Sequence, residues 1–237
     1  MNAAQQIPLG VGLRDEASFG NYFPGPNGEV LQAVQTLVSG AHQFLYLWGA
    51  AGTGKTHLLH AACHGCAIQD QRSAYLPLKD LRTLQPELLE GLEQLALVCV
   101  DDVQAVAGQG EWETALFHLY NRLRASGARL LISGVAPPPA AGIQLADLGS
   151  RLGWGLVLHL RSLDDVSKIS ALQLRARNRG MDLPAEVGEY LLRHWPRDMA
   201  RLYDLLQRLD MHSLTQQRKL TIPFVRTLIT HATAETQ

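Results

Sequence analysis

The stretch Gly49-Ala50-Ala51-Gly52-Thr53-Gly54-Lys55-Thr56 follows the apolar run Phe44–Trp48 and precedes an apolar pattern with helical spacing. A strand that runs into a glycine-rich loop and then a helix is the setting in which backbone N–H groups bind phosphate oxygens. Lys55 then neutralises phosphate charge, and the Thr56 hydroxyl ligates Mg²⁺ at the helix N-terminus. The sequence therefore predicts a nucleotide site rather than an ordinary glycine turn. Its predicted nucleotide contacts in this loop are Gly49, Gly52, Thr53, Gly54, Lys55 and Thr56.

A second part of the predicted site lies where the apolar run 95–100 ends in Asp101 and Asp102. Strands that are buried on both faces read as continuous apolar runs, and ligands of open α/β sheets gather at the carboxyl ends of such strands. We expect Asp101 to bind nucleotide-associated Mg²⁺ together with Thr56. Asp102 is expected to orient or deprotonate a water molecule that attacks the γ-phosphate. The alternative is that the two acids only cap the segment that follows.

Composition limits the class of protein. The chain has 237 residues, of which 46% are apolar and 18% charged, enough for one domain of ordinary size and a smaller one. No apolar stretch reaches the roughly 20 residues that cross a bilayer, and residues 1–6 lack the features of a signal peptide. We therefore expect a cytoplasmic protein with no membrane contact. Cys63, Cys66 and Cys99 are too few for a disulfide framework and are expected to be plain thiols.

Strand-like and helix-like segments alternate through the first two thirds of the chain. After irregular residues up to about Pro26, the apolar positions within 29–38 and 112–123 have helical spacing, whereas short apolar runs are typical of buried strands. This alternation predicts an α/β fold with a mostly parallel sheet and right-handed crossovers. The predicted strands are 44–48, 74–78, 95–100, 129–133 and 155–160.

From Ser162 onward the sequence predicts helices only. Ser162 with Asp165 resembles a capping box that starts the first of them. Apolar stripes predict further helices that begin near Pro184, Met199 and Thr221. The predicted architecture is an α/β base followed by a small all-helical lid.

Five segments in this order resemble the DnaA family of AAA+ ATPases, which includes the bacterial replication initiator. The segments are Phe23–Asn27, Leu47–Gly49, Lys55–Ala61, Asp101–Gln104 and Ser150–Gly155. The similarity extends from about Phe19 to Ile229. It implies an extended arm at 1–18, a P-loop AAA+ α/β base domain at 19–161 and a helical lid domain at 162–237. It also implies ADP or ATP with Mg²⁺ as ligands, with Phe23 and Asn27 on the adenine side.

Two differences from a full initiator indicate a regulatory member of the family. The chain ends at Gln237, before the position of the family's duplex-reading helix-turn-helix domain, so sequence-specific duplex DNA binding is not expected. Within the arm, Gln6, Ile7, Pro8 and Leu9 resemble peptides that dock on the beta sliding clamp of DNA polymerase III, through apolar anchors and a glutamine amide. A disordered tail is the alternative. The combination resembles family members that bind the DNA-loaded clamp and inactivate the initiator DnaA.

Arg151, within Ser150–Gly155, is the candidate arginine finger, a guanidinium that reaches the γ-phosphate held by a neighbouring subunit. Such fingers contribute ~10³–10⁵ in rate, and the alternative is a surface arginine in an ion pair. The resemblance implies a negative regulator of replication initiation that stimulates hydrolysis of ATP on DnaA at replication forks. It implies little catalysis of the protein's own, beyond weak ATPase activity, and nucleotide-dependent self-association. The alternative function is a DNA-remodelling or loader AAA+ ATPase.

The chain departs from the family pattern at two nucleotide-sensing positions. After the strand 129–133 the pattern has an acidic residue and an arginine, where this chain has Val135 and Ala136. The lid arginine of the pattern falls on Ala200, and Arg201 is turned from it by about 100° on a helix. Both departures predict weak intrinsic ATPase activity and favour a protein that holds ADP as a structural ligand.

Two further clusters favour structural interpretations. The histidines and cysteines within 60–66 resemble zinc ligands, but Cys66 lies off the helix face that the others share, and a closed zinc site needs four convergent ligands. Three alternating arginines within 175–179 predict a solvated basic face more than a DNA contact, because alternate residues of a helix point in different directions. The residues concerned are His60, Cys63, His64, Cys66, Arg175, Arg177 and Arg179.

Overall fold

The computed structural model describes residues 17–81, 85–216 and 220–227. Its strands are β1 (Phe44–Trp48), β2 (Ser73–Pro77), β3 (Leu97–Asp101), β4 (Arg129–Gly134) and β5 (Leu156–His159). All are parallel and form one sheet in the order β2-β3-β4-β1-β5. The five predicted strands and the parallel sheet are confirmed, with strand ends that differ from the predictions by at most two residues.

Helices cover both faces of the sheet. They are α1 (Gly28–Val38), α2 (Lys55–Ile68), the short α3 (Leu78–Leu81), α4 (Gly110–Ser126) and α5 (Ala146–Leu152). Short 3₁₀ turns lie at Phe19–Asn21, Gly25–Asn27, Pro86–Leu89, Leu92–Gln94, Val103–Val106 and Pro138–Ala140. Helices α1 and α2 pack on one face of the sheet, and α4 and α5 pack on the other.

The central strand β3 shows why these runs are continuously apolar. Successive side chains of a strand point to opposite faces. Cys99 accordingly packs in the core that contains Leu58 of α2, whereas Val100 packs in the core that contains Leu116 of α4. Because both faces are covered, every residue of β3 is buried.

The C-terminal part of the described chain is helical, as predicted. It comprises α6 (Asp165–Asn178), α7 (Ala185–His194), α8 (Met199–Gln216) and a short helix at 222–227, which we call α9. These helices share a core of their own that includes Leu172, Val187, Leu191, Leu202 and Leu206. Among the described residues, no helix combines the length and the apolar character that crossing a membrane requires.

The capping box predicted from Ser162 and Asp165 is wrong. Asp164 is the N-cap residue of α6, and its carboxylate accepts a hydrogen bond from the Ser167 backbone N–H at 2.8 Å. The Ser167 hydroxyl and, to a smaller extent, this backbone bond lower the pKa of Asp164. Aspartate caps a helix about as well as serine, and its charge adds a favourable interaction with the helix dipole. Two cap candidates therefore stand within three residues, and the second one starts the helix.

Asn27 ties the N-terminal segment to the connection between base and lid. Its side-chain amide donates to the Arg161 carbonyl at 2.9 Å and accepts from the Arg161 N–H at 2.8 Å. The Asn27 residue is 2% exposed. These two hydrogen bonds fix the chain between β5 and α6, where the lid begins.

Candidate nucleotide site

The glycine-rich loop runs from the carboxyl end of β1 into α2 and has the shape of an anion cradle. Gly52 and Gly54 adopt left-handed backbone conformations, with φ of +77° and +95°, which glycine adopts without steric cost. At Gly49 an added Cβ would lie 2.4 Å from the Leu160 carbonyl oxygen, so no larger residue fits there without a shift. A loop of this form before a helix N-terminus is where backbone N–H groups bind phosphate.

Lys55 lies inside this loop. Its ammonium donates to the carbonyl oxygens of Gly49 at 2.7 Å and Ala50 at 2.9 Å, and the residue is 7% exposed. Burial lowers the pKa of Lys55, and the carboxylates of Asp102 and Asp101 act in the opposite direction. The cation is therefore already placed in the loop whose phosphate it is predicted to neutralise.

Asp101 collects three hydroxyl donors at the carboxyl end of β3. The Thr56 hydroxyl donates to Asp101 Oδ2 at 2.7 Å, and the Tyr75 hydroxyl donates to the same oxygen at 2.8 Å. The Ser133 hydroxyl donates to Asp101 Oδ1. Burial and the Asp101 carboxylate raise the pKa of Tyr75. A threonine hydroxyl beside a buried carboxylate is an oxygen donor set that suits Mg²⁺, so the residues fit the predicted metal.

Asp102 is held in an unusual backbone conformation beside Asp101. Its φ of 58° and ψ of 53° are left-handed, which aspartate tolerates better than most residues. The Asp102 N–H donates to the Ser133 hydroxyl at 3.0 Å, and the Gln104 amide donates to Asp102 Oδ1 at 2.9 Å. These contacts fix the carboxylate that is predicted to position the attacking water.

Sequence reasoning missed Tyr75, Ser133 and Gln104 as neighbours of the two acids. Tyr75 and Ser133 lie on β2 and β4, the two strands that flank β3. Their positions follow from the register, in which Pro77 pairs with Asp101 and Ile132 pairs with Val100. Ser133, a polar residue near the carboxyl end of β4, was an available signal, whereas Tyr75 lies in the middle of β2 and reaches Asp101 through the length of its side chain.

A cavity lies between the glycine loop and the lid. The residues that line it come from the loop, from the segment before α1, from the connection between β5 and α6, and from α2, α6 and α8. They are Asn21, Tyr22, Phe23, Gly52, Thr53, Gly54, His57, Leu163, Arg175, Met199 and Tyr203. Aromatic rings at one end and the glycine loop at the other suit a base and its phosphates. Phe23, predicted to lie on the adenine side, lines this cavity, whereas Asn27 is not among its lining residues and contacts Arg161 through both ends of its amide.

His57 lies in the wall of this cavity as a neutral ring. Its Nε2–H donates to the Ser18 carbonyl at 3.1 Å, and its ring centroid is 5.5 Å from that of Tyr22. Burial, with a smaller contribution from Arg175, lowers the pKa of His57 to about 4. The ring therefore carries no charge near neutral pH.

Arg151 lies at the other edge of the sheet. It lies in the last turn of α5. Together with Phe44, Leu45 and Gly155, it lines a small pocket at the amino ends of β1 and β5. Its guanidinium carbon is 3.8 Å from the centroid of the Trp154 ring, and Trp154 is 52% exposed. Arg151 Nε is buried, and no hydrogen-bond partner for it exists within the described residues. Arg151 is therefore separated from the glycine loop of its own chain.

Residues 13–159 match the profile of the bacterial DnaA ATPase domain, and residues 165–229 match that of the Hda lid domain. This chain belongs to the DnaA family. Domain III of the Thermotoga maritima replication initiation protein DnaA is 25% identical with a TM-score of 0.77, over 92% of this chain and 97% of that one. AMPPCP-bound DnaA from Aquifex aeolicus shares the fold, with 22% identity and a TM-score of 0.71 over 84% of this chain and 66% of that one.

These matches identify a DnaA-related replication regulator with an AAA+ base and an Hda-type lid. The α/β base and helical lid predicted from the sequence are thereby confirmed. A DnaA bound to AMPPCP and single-stranded DNA also shares the fold, at 22% identity and a TM-score of 0.69, over 87% of this chain and 69% of that one. The loop, Lys55, Thr56 and Asp101 together fit a nucleotide with Mg²⁺.

The positions that depart from the DnaA pattern are apolar or face solvent. Val135, directly after β4, is 49% exposed, and the Ala136 carbonyl accepts from the Tyr46 hydroxyl at 3.0 Å. Ala200 and Arg201 are both exposed, and neither is among the described residues that line the nucleotide cavity. Arg201 is thus outside the described lining of the nucleotide cavity.

The predicted partner peptide Gln6, Ile7, Pro8 and Leu9 lies outside the described residues. In the part of the chain that the structure describes, no group of three or more histidine, cysteine or acidic side chains is placed to hold a metal ion, and this includes the residues within 60–66 that resemble zinc ligands. The His60 ring instead packs against the Tyr75 ring in a tilted arrangement, with 4.0 Å between the ring centroids. Cys63, Cys66 and Cys99 are free cysteines, as predicted.

Proposed function

We propose that this DnaA-family protein represses replication initiation by stimulating hydrolysis of the ATP bound to initiator DnaA, which leaves the initiator in its inactive ADP form. The observation that carries the proposal is the position of Arg151. The glycine loop follows the carboxyl end of β1, whereas Arg151 lies beside the amino end of the same strand. A strand of five residues spans about 15 Å. This separation supports a role for Arg151 on a nucleotide held by a neighbour rather than on its own.

The contacts of Arg151 favour a finger over an ion pair. In the described residues no carboxylate pairs with Arg151. Its guanidinium instead stacks on Trp154, an arrangement that holds the planar donors of arginine in a defined orientation. A guanidinium delivered in this way to a γ-phosphate stabilises the charge that develops during phosphoryl transfer.

The protein's own nucleotide has a structural role in this proposal. Lys55 neutralises the phosphates, and Thr56 with Asp101 holds the Mg²⁺ of bound ADP or ATP. Because Val135 and Ala136 offer no charged side chain beside the γ-phosphate position, turnover of the protein's own ATP is weak. The nucleotide then fixes base and lid together, and the protein acts on its partner's ATP.

Contact with the sliding clamp completes the proposal. The peptide Gln6, Ile7, Pro8 and Leu9 docks on the beta clamp of DNA polymerase III and brings the protein to newly replicated DNA. Local concentration on the clamp makes encounter with DnaA efficient, since tethering turns a second binding event into an intramolecular one.

The test uses DnaA preloaded with ATP that is labelled at the γ-phosphate. Phosphate release is counted with wild-type protein, Arg151→Ala and Arg124→Ala, each with and without DNA-loaded clamp. Arg124 is the matched control, because its guanidinium also lies over the Trp154 ring, at 4.9 Å from the centroid. We expect stimulation that requires the clamp, falls by ~10³ or more in Arg151→Ala and persists in Arg124→Ala. Absence of stimulation by the wild-type protein with either nucleotide would refute the proposal.

The second candidate, a DNA-remodelling or loader ATPase, is favoured by one observation. Asp102 is intact and is held by Gln104 and Ser133, as water positioning requires. That function predicts DNA-stimulated ATP turnover by this protein alone, which Asp102→Asn abolishes. The same phosphate-release assay without DnaA separates the two functions.

A further inference from the structure

The lid contributes one permanent cation to the nucleotide cavity. Among the described residues that line the cavity, Arg175 of α6 is the only side chain with a fixed positive charge, since His57 is neutral. Lys55 is held within the loop by the carbonyl oxygens that it contacts. Helix α8 contributes Met199 and Tyr203 to the lining but no cation.

The position of Arg175 directs its charge toward the glycine loop. It shares the cavity with Gly52, Thr53 and Gly54 across the junction of base and lid. Its guanidinium carbon is 5.4 Å from the centroid of the Tyr203 ring, within the range of a cation–π contact. Its charge also contributes to the low pKa of His57, in the first turn of α2. The shared cavity therefore brings the guanidinium to the phosphate-binding end of α2, and the contact with Tyr203 holds it from the lid side.

The other arginines of the same helix turn face elsewhere. Arg177 is exposed to solvent, and Arg179 pairs with Asp210 at 3.6 Å. Alternate residues of a helix differ by about 200° in direction. The basic cluster that the sequence groups together thus separates into a cavity residue, a solvated residue and an ion pair.

An acid on the lid makes this cation more important. Asp198, just before α8, packs against the glycine loop, because a Cβ added at Gly52 would lie 2.9 Å from its Oδ2. A phosphate in the loop would meet this negative charge at close range. An anion beside a carboxylate needs a compensating cation, and Arg175 is the one that the lid provides at this junction.

We propose that Arg175 binds a phosphate group of the nucleoside di- or triphosphate in the glycine loop and thereby closes the lid on the nucleotide. The inference rests on the nucleotide binding contained in the proposed function. The planar guanidinium suits a phosphate because two parallel N–H groups reach two of its oxygens. The cation–π contact with Tyr203 holds the guanidinium near the loop before the ligand binds.

The test measures nucleotide binding by the full chain in the absence of DnaA and clamp. Wild-type protein, Arg175→Ala and the matched control Arg177→Ala are titrated with ADP by calorimetry, and adenosine is measured by competition against fluorescently labelled ADP. We expect Arg175→Ala to weaken ADP binding about 10- to 100-fold, or about 1.4–2.8 kcal/mol, and to leave adenosine binding unchanged. Arg177→Ala should bind both ligands as the wild type does.

Further variants keep the outcome independent of folding. Thermal unfolding without nucleotide shows whether Arg175→Ala is folded, and Arg175→Lys, which keeps the charge but not the fork, should bind ADP with intermediate affinity. Unchanged ADP affinity in a folded Arg175→Ala overturns the proposal, as does an equal loss of ADP and adenosine affinity. If the wild-type protein binds no ADP, nucleotide binding itself fails. If it binds ADP but does not stimulate DnaA, only the proposed function fails.

Discussion

Replacing Glu113 with glutamine should loosen the start of α5, the helix that carries Arg151. Glu113 lies in the first turn of α4 and is 1% exposed. Its carboxylate accepts hydrogen bonds from the backbone N–H groups of Gly108 at 2.7 Å, Gln144 at 3.0 Å and Leu145 at 2.6 Å. Leu145 is the residue directly before α5. One buried carboxylate thus joins the segment after β3 to the beginning of this helix.

The cost of the substitution follows from which oxygen serves which donor. Oε1 accepts from Gly108, Oε2 accepts from Leu145, and both oxygens contact the Gln144 N–H. In either orientation a glutamine amide would place its NH₂ against a backbone N–H. One charge-assisted bond is lost, about 1.5–3 kcal/mol, and a buried donor is left unsatisfied at about 1–3 kcal/mol. We expect a total near 3 kcal/mol, which leaves a domain with about 5–15 kcal/mol of stability folded.

Three measurements test this estimate. Urea unfolding should show the loss of about 3 kcal/mol, amide exchange at Leu145 should accelerate about 100-fold, and stimulation of DnaA ATP hydrolysis should fall with it. Glu111→Gln is the matched control, because Glu111 is an exposed acid in the same helix turn. Equal stability and equal Leu145 exchange in the two variants would refute the reasoning. Faster exchange with unchanged stimulation would show that the order of α5 does not set the action of Arg151.

Three other substitutions probe charge and burial. Asp198→Asn removes a negative charge beside Gly52 and with it about 1 kcal/mol of Coulomb repulsion against the phosphates. ADP should therefore bind about fivefold tighter when measured by calorimetry, and weaker binding would contradict this. Arg129→Lys removes planar donors that reach backbone carbonyls at a site only 7% exposed, and urea unfolding should show a loss of about 3 kcal/mol. Because burial lowers the pKa of His57 to about 4, the unfolded chain binds an extra proton between that pH and about 6.5. Stability should therefore fall as pH drops through this window, by up to about 3 kcal/mol, and His57→Gln should flatten that part of the unfolding curve.

The strands and the glycine loop were predictable because their signals are local. A strand covered on both faces must be apolar at every position, and β3 satisfies that requirement with five buried residues. The loop needs left-handed glycines at fixed offsets from Lys55, and Gly52 and Gly54 supply them. Both features can be read within a window of ten residues, without knowledge of what packs against them.

The contacts that complete the site depend on residues far apart in the chain. Ser133 reaches Asp101 only because β4 lies beside β3, and a sheet order in which β1 stands between β4 and β5 cannot be read from the chain order. Glu113 binds the loop before α5 across about thirty residues of chain, with no local pattern to mark it. The cap of α6 is predicted wrongly for a different reason: Ser162 and Asp164 are both good caps, and serine and aspartate are nearly equal in cap preference, so local sequence does not choose between them.

The arrangement of charges separates holding a nucleotide from acting on one. Arg175 lies on the nucleotide cavity at the carboxyl edge of the sheet, and Arg151 lies at the amino edge beside an exposed tryptophan. A protein that hydrolysed its own ATP would need its strongest transition-state cation at the first edge, and there the DnaA pattern is replaced by Val135 and Ala136. The two edges remain connected, because Gly108 follows the segment that holds Asp102 and shares the Glu113 carboxylate with the start of α5. The Glu113 carboxylate thus joins the segment after Asp102 to the start of the helix that carries Arg151.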